Sequence, residues 1–506
     1  MENIHSKQDE ADGFELWNSK ALNFHYCSKY PQVLELVDLI LDELISHIVS
    51  SENPKRIHKD KLQDNLSLVI INLFSAYTIN PNKYIAYHRS PAAFQKTRYK
   101  KHNIGYDVFV KVVNTLEATG YIENHLGFYD REFGIGKISR MRAASKLTEL
   151  FNKHKLAGVM IQRKEDEEVI ILKSVSVLDN NKKDKFVVDY EDTTQTNKMR
   201  DNLHSINSLL DSRWIDIKAS DKMYREMIRQ LKNKGKEEVD FTRKRLARIF
   251  NNNSFEDGGR FYHGWWQEIP KQYRKLIEID GKITVEVDYS SIHFRILYAE
   301  QGIDIGDTDP YIIKGYEDKR NIIKISLNII LNAEIKDAAI KAMYMHKKLN
   351  IDKDTAIGIY IRLEEEHPRI KKYFGSGKGI KLQYIDSQIA EQVMLNLAKD
   401  DIVCLPVHDS FIVRLGHKIY LEEEMDKVFK EIAGVQAKRA EELTIFSTTT
   451  HKEENERLFG NRGMLPSEED IVSLSDLDFE EFIKIQGEYE GYNQRRQEWI
   501  KHKRFL

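Results

Sequence analysis

The sequence predicts an α+β protein, and two observations lead to this prediction. Two short runs of β-branched and apolar residues, 283–287 and 402–407, have the length of strands, and each leads to an aspartate. Around them, long stretches of the 506-residue chain repeat apolar residues at the spacing of amphipathic helices. A chain of this length has room for two or three domains.

The first aspartate, Asp288, is predicted to follow a hairpin. Two strand-like runs flank Asp280-Gly281, which is a favoured two-residue hairpin turn. After Asp288 the apolar spacing becomes that of a helix, which Ser290 or Ser291 can cap. The pattern therefore predicts a carboxylate at a strand-to-helix junction beside a cleft. An ordinary turn or cap residue is the alternative.

The second aspartate, Asp409, is predicted to lie in a tighter hairpin. Residues 402–407 and 411–413 are the strands, and His408 and Asp409 lie near the turn. Two carboxylates brought together from two such strand ends can hold two Mg²⁺ ions and support phosphoryl transfer. Here too, a turn residue is the alternative for the aspartate taken alone.

Both aspartates lie in segments that resemble polymerase motifs. DYSSIHFR at residues 288–295 resembles motif A of family A DNA polymerases, and VHD at 407–409 resembles their motif C. HDSF at 408–411 is even more similar to the corresponding motif of phage-type single-subunit RNA polymerases, which share the same palm. The resemblance implies a right-hand polymerase palm with compact helical fingers and a thumb. It also implies that Asp288, Asp409 and the carbonyl of Tyr289 bind two Mg²⁺ ions, with Mn²⁺ as a substitute.

A third motif lies between the two aspartates. Arg320, Lys324, Asn328 and Asn332 are spaced by four, so they follow one face of a helix. The Arg320-to-Lys324 spacing resembles the start of motif B, the fingers helix that binds the incoming triphosphate. Arginine suits bidentate phosphate contacts, and lysine supplies a point charge or an acid for the leaving pyrophosphate. A solvated helix face is the alternative.

Two further segments fall in the family order. GGRFY at 258–262 followed by QEIP at 267–270 resembles the stretch that contacts primer and template, and LQ at 382–383 resembles the helix that precedes motif C. The resemblance implies that Arg260, Gln267 and Gln383 contact nucleic acid.

The chain also departs from the family pattern. His293 stands where family A DNA polymerases have a glutamate that excludes the ribose 2′-OH, and Asn328 replaces an aromatic residue of the fingers helix. His293, Asn328 and Tyr289 are therefore expected beside the bound nucleotide. Ser410 replaces the glutamate that follows the motif C aspartate. His408 is expected to brace the site by hydrogen bonding rather than to act as a general base.

The N-terminal region, residues 1–155, is predicted to be mainly helical. Within it, a helix ending at Gly120, a strand at 121–123, a basic turn and a final helix resemble the outline of a winged-helix module of plasmid replication initiators. Arg140 and Arg142 would supply phosphate contacts there, which position a protein on DNA without reading its sequence. A small helical domain with a basic edge is the alternative.

The remaining residues are divided into three segments, from their composition and from the order of the polymerase motifs along the chain. Residues 156–250 are predicted to form a strand pair (169–177 and 185–190) followed by cation-rich helices over 197–247, in the position of the thumb. Residues 251–450 form the expected palm and fingers, with a last helix over 419–440. Residues 451–506 form a charged tail without an assigned role. The acidic pair Asp166 and Glu168 lies in a charged cluster that suggests a loop, so no proofreading site is expected.

Composition narrows the choice of functions. The net charge is −2 although 31% of residues are charged, so a nucleic-acid surface has to be local. Two cysteines are too few for a disulfide framework or a cysteine zinc site, and His346 and His367 suggest ordinary surface histidines. The absence of a long apolar run predicts a cytoplasmic protein.

The sequence thus predicts a template-directed nucleotidyltransferase, foremost a family A type DNA polymerase without proofreading. Its partners would be a DNA primer and template and dNTPs or NTPs. An RNA polymerase or primase-like enzyme is one alternative. A non-catalytic replication initiator or DNA-binding protein on a degenerate palm is the other.

Overall fold

The computed structural model describes residues 19–51, 58–100, 104–130, 135–179, 182–236, 238–439 and 488–503. It is a mixture of helices and strands, which confirms the α+β prediction. The chain forms two compact units. The first unit contains Met1–Glu168, Ala219–Arg243 and Ile483–Leu506, and the second contains Val169–Lys218 and Lys244–Phe482. The segment 156–250 contributes to both units.

A five-stranded antiparallel sheet lies at the centre of the second unit. Its spatial order is Ile215–Ile217, Ile277–Ile279, Lys282–Asp288, Ser410–Arg414 and Leu405–Val407. Val285, Val287 and Val413 are buried, because alternate side chains of each strand point to the same face of the sheet.

Both predicted hairpins are confirmed. Ile277–Ile279 and Lys282–Asp288 pair around Asp280 and Gly281, whose positive φ angles of 52° and 76° are those of the favoured hairpin turn. Leu405–Val407 and Ser410–Arg414 pair so that Val407 faces Ser410.

Helices surround this sheet, and the longest of them, Gly379–Lys399, is called the long helix below. The long helix packs against the strand Ser254–Tyr262 and against neighbouring helices. The predicted last helix ends at Ala433 rather than at 440, because Gly434 takes a left-handed conformation. Among its described residues, the second unit contains the helices Thr194–Asp211, Lys271–Arg274, Ile292–Ala299, Arg320–Asn332, Lys336–Tyr344, Lys353–Glu366, Gly379–Lys399 and Lys418–Ala433, with short 3₁₀ turns at Trp265–Gln267, Glu317–Lys319, Lys371–Tyr373 and Leu415–His417.

A smaller sheet carries the strand that leads into the site. Ser254–Tyr262 pairs with Ala247–Asn251, which pairs in parallel with Ile170–Leu172. The strand predicted at 185–190 is wrong. Val177–Asp179 and Lys182–Asp184 form a hairpin instead, and Val187 makes only an isolated bridge to Lys173.

The prediction of helices over 197–247 is only partly right. The helix Thr194–Asp211 is followed by the strand Ile215–Ile217, which joins the central sheet, and then by the helix Asp221–Asn233. Arg248, which directly follows the cation-rich segment 197–247, lies in a strand with a fully buried side chain. It pairs with Glu391 of the long helix, so it is not available to a duplex.

The first unit has a helical core with a four-stranded sheet. The strands lie in the order Lys20–Ala21, Ile85–Tyr87, Ser139–Ala143 and Ile122–His125. A second hairpin, Phe128–Asp130 with Ile135–Lys137, extends from the last two. The other elements are the helices Pro31–Ser51, Lys59–Ile79, Tyr106–Ala118, Ser145–Lys153, Asp221–Asn233 and Glu490–His502, 3₁₀ turns at Pro91–Phe94 and Gly158–Met160, and a strand pair of Tyr26–Cys27 with Gln162–Arg163.

The predicted helix, strand, basic hairpin and helix at 106–151 are therefore present in order. Gly120 ends the helix with φ 76°, as its position after the apolar pattern predicts. Asp166 lies in a turn, as predicted, while Glu168 is buried against Arg98. Of the charged tail, only 488–503 is among the described residues, and it forms a helix in the first unit.

Candidate active site

The two predicted aspartates lie together at the edge of the central sheet. The strands Lys282–Asp288 and Ser410–Arg414 pair directly, with Asp288 opposite Ser410. Asp409 precedes that partner by one residue. The backbone N–H of Tyr289 donates to the carbonyl oxygen of Asp409 at 3.2 Å, so the two aspartate segments are joined by a main-chain hydrogen bond. Residues 121 positions apart thus meet because two hairpins pair side by side.

The helix after Asp288 begins where the sequence predicts, at Ile292. Ser291 is the residue before it, but it has a φ of 56° and its side chain makes no capping hydrogen bond. The predicted side-chain cap is therefore wrong, because a left-handed residue turns the chain sharply from strand to helix here. A sharp turn lets the strand end and the first helical turn face the same space.

The turn residue His408 is also left-handed, with φ 60°. Such a conformation is uncommon outside glycine and is held only by surrounding structure. Its ring lies edge-on to Tyr262, with 6.0 Å between ring centroids. Burial, followed by the charge of Arg260, lowers the pKa of His408 from its ordinary value, so the imidazole is neutral near pH 7. The contact described for the His408 ring is an aromatic one, and its bracing of the site by hydrogen bonding stays a prediction.

The carboxyl group of Asp288 is poorly compensated. Its Oδ1 atom is buried and has no hydrogen-bond partner among the described residues. Burial first, and the charge of Asp409 second, raise the pKa of Asp288 to about 7. The charges of Lys271 and Lys324 oppose this shift only in part. The charge of the Asp288 carboxylate is therefore only partly balanced by nearby cations.

The donor set fits a hard divalent cation. Carboxylate and carbonyl oxygens are the ligands that Mg²⁺ takes, and the orphaned oxygen of Asp288 is one such atom. Within the described parts of the chain, no three His, Cys, Asp or Glu side chains gather as a metal-ligand group. Asp288, Asp409 and the carbonyl of Tyr289 would therefore hold Mg²⁺ together with water or substrate phosphates, which is how Mg²⁺ commonly binds.

A third carboxylate, Glu286, lies beside the pair and was not predicted. It precedes Asp288 by two residues, so both side chains lie on the same face of their strand. Its Oε1 accepts from the Ser410 hydroxyl at 2.6 Å and lies 2.9 Å from Nη2 of Arg274. Glu286 also raises the pKa of Asp288. The alternation of the strand was the signal that could have revealed it.

The predicted phosphate-binding residues share one helix, Arg320–Asn332, as expected. Arg320 Nε donates to Asp309 Oδ2 at 2.6 Å, while its guanidinium carbon lies 5.2 Å from the ring centroid of Tyr311. Lys324 is exposed, and its charge acts on Asp288. Asn328 is exposed as well, and its carbonyl accepts from Asn332 Nδ2 at 2.7 Å. The first turn of this helix therefore places Lys324 within electrostatic reach of the aspartates.

Arg260 and His293 meet on a carboxylate that the sequence analysis missed, Asp386 of the long helix. Arg260 Nε lies 3.0 Å and 3.1 Å from the two Asp386 oxygens, and Arg260 Nη2 also donates to Asp386. His293 Nε2 lies 2.7 Å from Asp386 Oδ2. Only 1% of the Asp386 side chain is exposed. The structure thus brings two predicted residues together through a third.

Gln267 and Gln383 have different surroundings. Gln267 Nε2 donates to the carbonyls of Phe261 at 3.0 Å and Pro406 at 2.9 Å, so its amide joins the strand before the site to the second hairpin. Gln383 is half-buried on the first part of the long helix.

The Tyr289 side chain is directed into the core. Its hydroxyl donates to the carbonyl of Met425 at 2.6 Å, and its ring packs against Phe411 and Phe429. Only the main chain of Tyr289 therefore lies beside the aspartates. The expectation that its side chain lies beside a bound nucleotide has no geometric support.

Arg140 and Arg142 lie in the first unit, on the strand Ser139–Ala143. Arg142 Nη2 lies 2.7 Å from Glu123, and its guanidinium carbon lies 5.0 Å from the ring centroid of Tyr84. Arg140 Nε donates to the Ser19 hydroxyl at 3.3 Å. Both guanidinium groups thus have protein partners, so a phosphate contact by either would have to share or replace them.

His367 corrects a further expectation. It is buried, and its ring nitrogens lie 2.9 Å from the Tyr298 hydroxyl and 3.1 Å from the Pro310 carbonyl. It is therefore a satisfied core histidine rather than a surface one.

Comparison of the chain with protein-family models and with curated proteins finds no match. In the part of the chain that the structure describes, no helix has the length and apolar character needed to cross a bilayer.

Proposed function

We propose that this chain is a template-directed nucleotidyltransferase, foremost a DNA polymerase of the family A type that lacks proofreading. The observation that carries the proposal is the pairing of the two strands that end at Asp288 and begin after Asp409. The proposal is also supported by the buried Oδ1 atom of Asp288, which has no hydrogen-bond partner among the described residues, and by the charge of Lys324, which acts on this carboxyl group.

The residues have complementary roles in this proposal. Asp288, Asp409 and the Tyr289 carbonyl would hold Mg²⁺, which when bound neutralises phosphate charge and favours ionisation of a primer 3′-OH. Lys324 offers a cation to the β- and γ-phosphates, and Arg320 offers a guanidinium once it leaves or shares Asp309. His408, held neutral, keeps the turn that carries Asp409 in place. The site would hold the primer 3′-OH and the triphosphate in position for reaction, and such positioning supplies much of the rate enhancement.

An RNA polymerase or primase-like enzyme is the second candidate. His293 and Ser410 favour it, because both replace glutamates of the DNA polymerase motifs and Ser410 matches the phage-type RNA polymerases. A non-catalytic initiator is the third candidate. The engagement of Arg260 by Asp386 favours it, because that arginine would otherwise be free to contact nucleic acid.

Primer extension distinguishes the three candidates. The protein is given a DNA primer and template with Mg²⁺ and either dNTPs or NTPs, alongside the Asp409→Ala variant. Extension with dNTPs that disappears in the variant supports a DNA polymerase, and extension with NTPs moves the assignment to RNA synthesis. DNA binding without extension by either nucleotide set favours the initiator.

A further inference from the structure

We propose that Asp386 is a positioning residue for nucleotide-sugar selection, acting by fixing the ring of His293. The proposal rests on the nucleotidyltransferase function above. The observation behind it is that the buried carboxylate of Asp386 binds two side chains from different elements. Arg260 comes from a strand, and His293 comes from the helix after Asp288.

The hydrogen bond determines the protonation pattern of the His293 ring. A carboxylate oxygen only accepts, so at 2.7 Å from Asp386 the Nε2 atom of His293 carries the proton and donates it. Arg260 Nη2 lies 3.3 Å from the same nitrogen. Because that nitrogen carries the proton, it cannot accept a hydrogen bond from Arg260. Nδ1 is the ring nitrogen left for a ligand, and no hydrogen bond to it occurs among the described residues. Orientation of an imidazole through its other nitrogen is a general way to prepare it for contact.

Arg260 keeps this carboxylate in its charged form and in one place. Its guanidinium contacts both Asp386 oxygens, a geometry that fixes direction as well as charge. The three side chains are 15% (Arg260), 1% (Asp386) and 18% (His293) exposed, so water competes weakly for these bonds. The His293 ring is thus fixed through Nε2, and 18% of its side chain is exposed.

The cluster lies beside the proposed metal site. Tyr262, two residues after Arg260 on the same strand, has its ring centroid 6.0 Å from that of His408, the neighbour of Asp409. His293 lies in the first helical turn after Asp288. His293 also stands at the sequence position where the polymerase motif that the chain resembles has the glutamate that excludes the ribose 2′-OH, so the ligand group proposed for Nδ1 is the nucleotide sugar.

The test measures sugar discrimination. Single-nucleotide incorporation is followed with dNTPs and NTPs, and the ratio of the two kcat/KM values is compared between wild type and Asp386→Asn. We expect the ratio to move toward unity by about tenfold or more, the change expected when an oriented contact is lost. Asp386→Glu keeps the charge but displaces it, so it is expected to give an intermediate ratio and serves if Asp386→Asn folds poorly.

Glu391→Gln is the matched control. Glu391 lies five residues further along the long helix and also forms a buried pair with an arginine, Arg248, but it makes no hydrogen bond to His293. Both variants are expected to lower the melting temperature, whereas only Asp386→Asn is expected to change the sugar ratio.

A double-mutant cycle tests whether Asp386 acts through His293. In a His293→Ala background, Asp386→Asn should change the ratio no further.

The outcomes separate the two proposals. An unchanged ratio in Asp386→Asn, an equal change in Glu391→Gln, or a wild-type enzyme that uses both sugars equally overturns the role of Asp386 and leaves the polymerase assignment intact. Absence of metal-dependent incorporation by the wild type with either sugar overturns both.

Discussion

Asp288 holds a carboxylate where burial and a second carboxylate both oppose its charge. Such arrangements are found where a bound cation supplies the missing charge, and they are unfavourable in its absence. The charges of Lys271 and Lys324 compensate only in part, and none of the described residues donates a hydrogen bond to Oδ1. Electrostatic strain at this residue should therefore be measurable without any assay of activity.

The metal-free protein is expected to become more stable on Asp288→Asn at pH 8. The pKa of Asp288 is about 7 in the folded protein and near its ordinary value when unfolded, so the favourable contribution of the neutral acid is complete below about pH 4 and is lost as the pH rises through 7. The gain at pH 8 should be on the order of 2 kcal/mol and should vanish at pH 4.

Thermal melts of wild type and Asp288→Asn at the two pH values, with EDTA, measure this difference. Adding Mg²⁺ at pH 8 should stabilise the wild type and leave the variant nearly unchanged. A wild type that is the more stable of the two at pH 8 in EDTA would show that Asp288 already has a compensating partner.

Gly259, next to Arg260, is a second residue with a specific requirement. Its φ is +77°, and an added Cβ would lie 2.7 Å from Phe250 Cε1 and 3.0 Å from Ser387 Oγ. Gly259→Ala is therefore expected to lower the free energy of unfolding by about 2–4 kcal/mol, combining backbone strain with overpacking. Gly302→Ala is the control, because φ is +72° there but nothing lies within 4 Å of an added Cβ. Chemical denaturation of both variants should give the smaller loss for Gly302→Ala, and equal losses would contradict the packing argument.

Sequence reasoning succeeded at residues whose setting is local. Asp288 and Asp409 were recognised because each follows a strand-like run within a few positions, and the turn at Asp280 was recognised from the dipeptide itself. Asp386 was missed because its meaning depends on Arg260, 126 residues earlier, and on His293. No local sequence pattern shows that an aspartate in a helix is buried and binds two distant side chains.

At the scale of elements, the long helix is joined to its neighbouring sheet by buried charge. Arg248 Nη1 donates to Glu391 at 2.6 Å, Nη2 to the Ser387 hydroxyl at 3.0 Å and Nε to the Gly259 carbonyl at 2.8 Å. The contacts to Glu391 and Ser387 hold the long helix against the strand Ala247–Asn251, and the contact to Gly259 joins that strand to Ser254–Tyr262.

Removal of one partner of this ion pair should be strongly destabilising. Glu391→Gln leaves the buried guanidinium of Arg248 without its counter-charge, so a loss of about 3–5 kcal/mol in the free energy of unfolding is expected. The double variant Arg248→Met/Glu391→Leu should regain much of this loss, because it buries no charge. Denaturant unfolding of the single and double variants measures both quantities. A double variant as unstable as Glu391→Gln would mean that the bonds to Ser387 and Gly259 matter more than the charge.

Some elements depend on tertiary pairing, so apolar periodicity in the sequence could not predict them. The short strand Ile215–Ile217 was hidden among charged helical segments, because three residues are too few to establish an alternating pattern. It became a strand through pairing with Ile277–Ile279. Tertiary pairing likewise explains Arg248, which follows the cationic residues 243–245 but pairs with Phe261 and Ile170 in the smaller sheet and has a buried side chain.

At the scale of the whole molecule, each unit is built from separated stretches of the chain. In the first unit, the segment that contains Asp240 is held to the N-terminal region by Lys20, whose Nζ lies 2.5 Å from Asp240 Oδ2, with side-chain exposures of 11% and 8%. Burial opposes the charge on Asp240, but Lys20 and Thr242 outweigh burial, so the pKa of Asp240 lies below its ordinary value. Composition did not reveal this assembly, because the contact joins positions 220 residues apart.

Asp240→Asn is therefore expected to destabilise the first unit by about 3–5 kcal/mol near pH 7. Because the pKa of the folded form is lowered, the contribution of the pair is present above the ordinary carboxyl pKa and is lost as the pH falls through the folded value. The difference from wild type should therefore shrink below about pH 4. Glu165→Gln, which removes an exposed pair with Lys29, is the control and should change stability by less than about 0.5 kcal/mol. Thermal melts across pH measure both, and equal effects of the two variants would contradict the argument.

The measurement that tests the central claim most directly is the single-nucleotide incorporation rate of Asp288→Asn and Asp409→Asn with Mg²⁺ on a primed DNA template. The control is Asp401→Asn, an aspartate in an exposed turn that pairs with Arg213. We predict that both site variants bind DNA as the wild type does but incorporate at least about a hundredfold more slowly, while the control stays within about threefold. Wild-type rates in either site variant would contradict the claim that these two aspartates form one catalytic site.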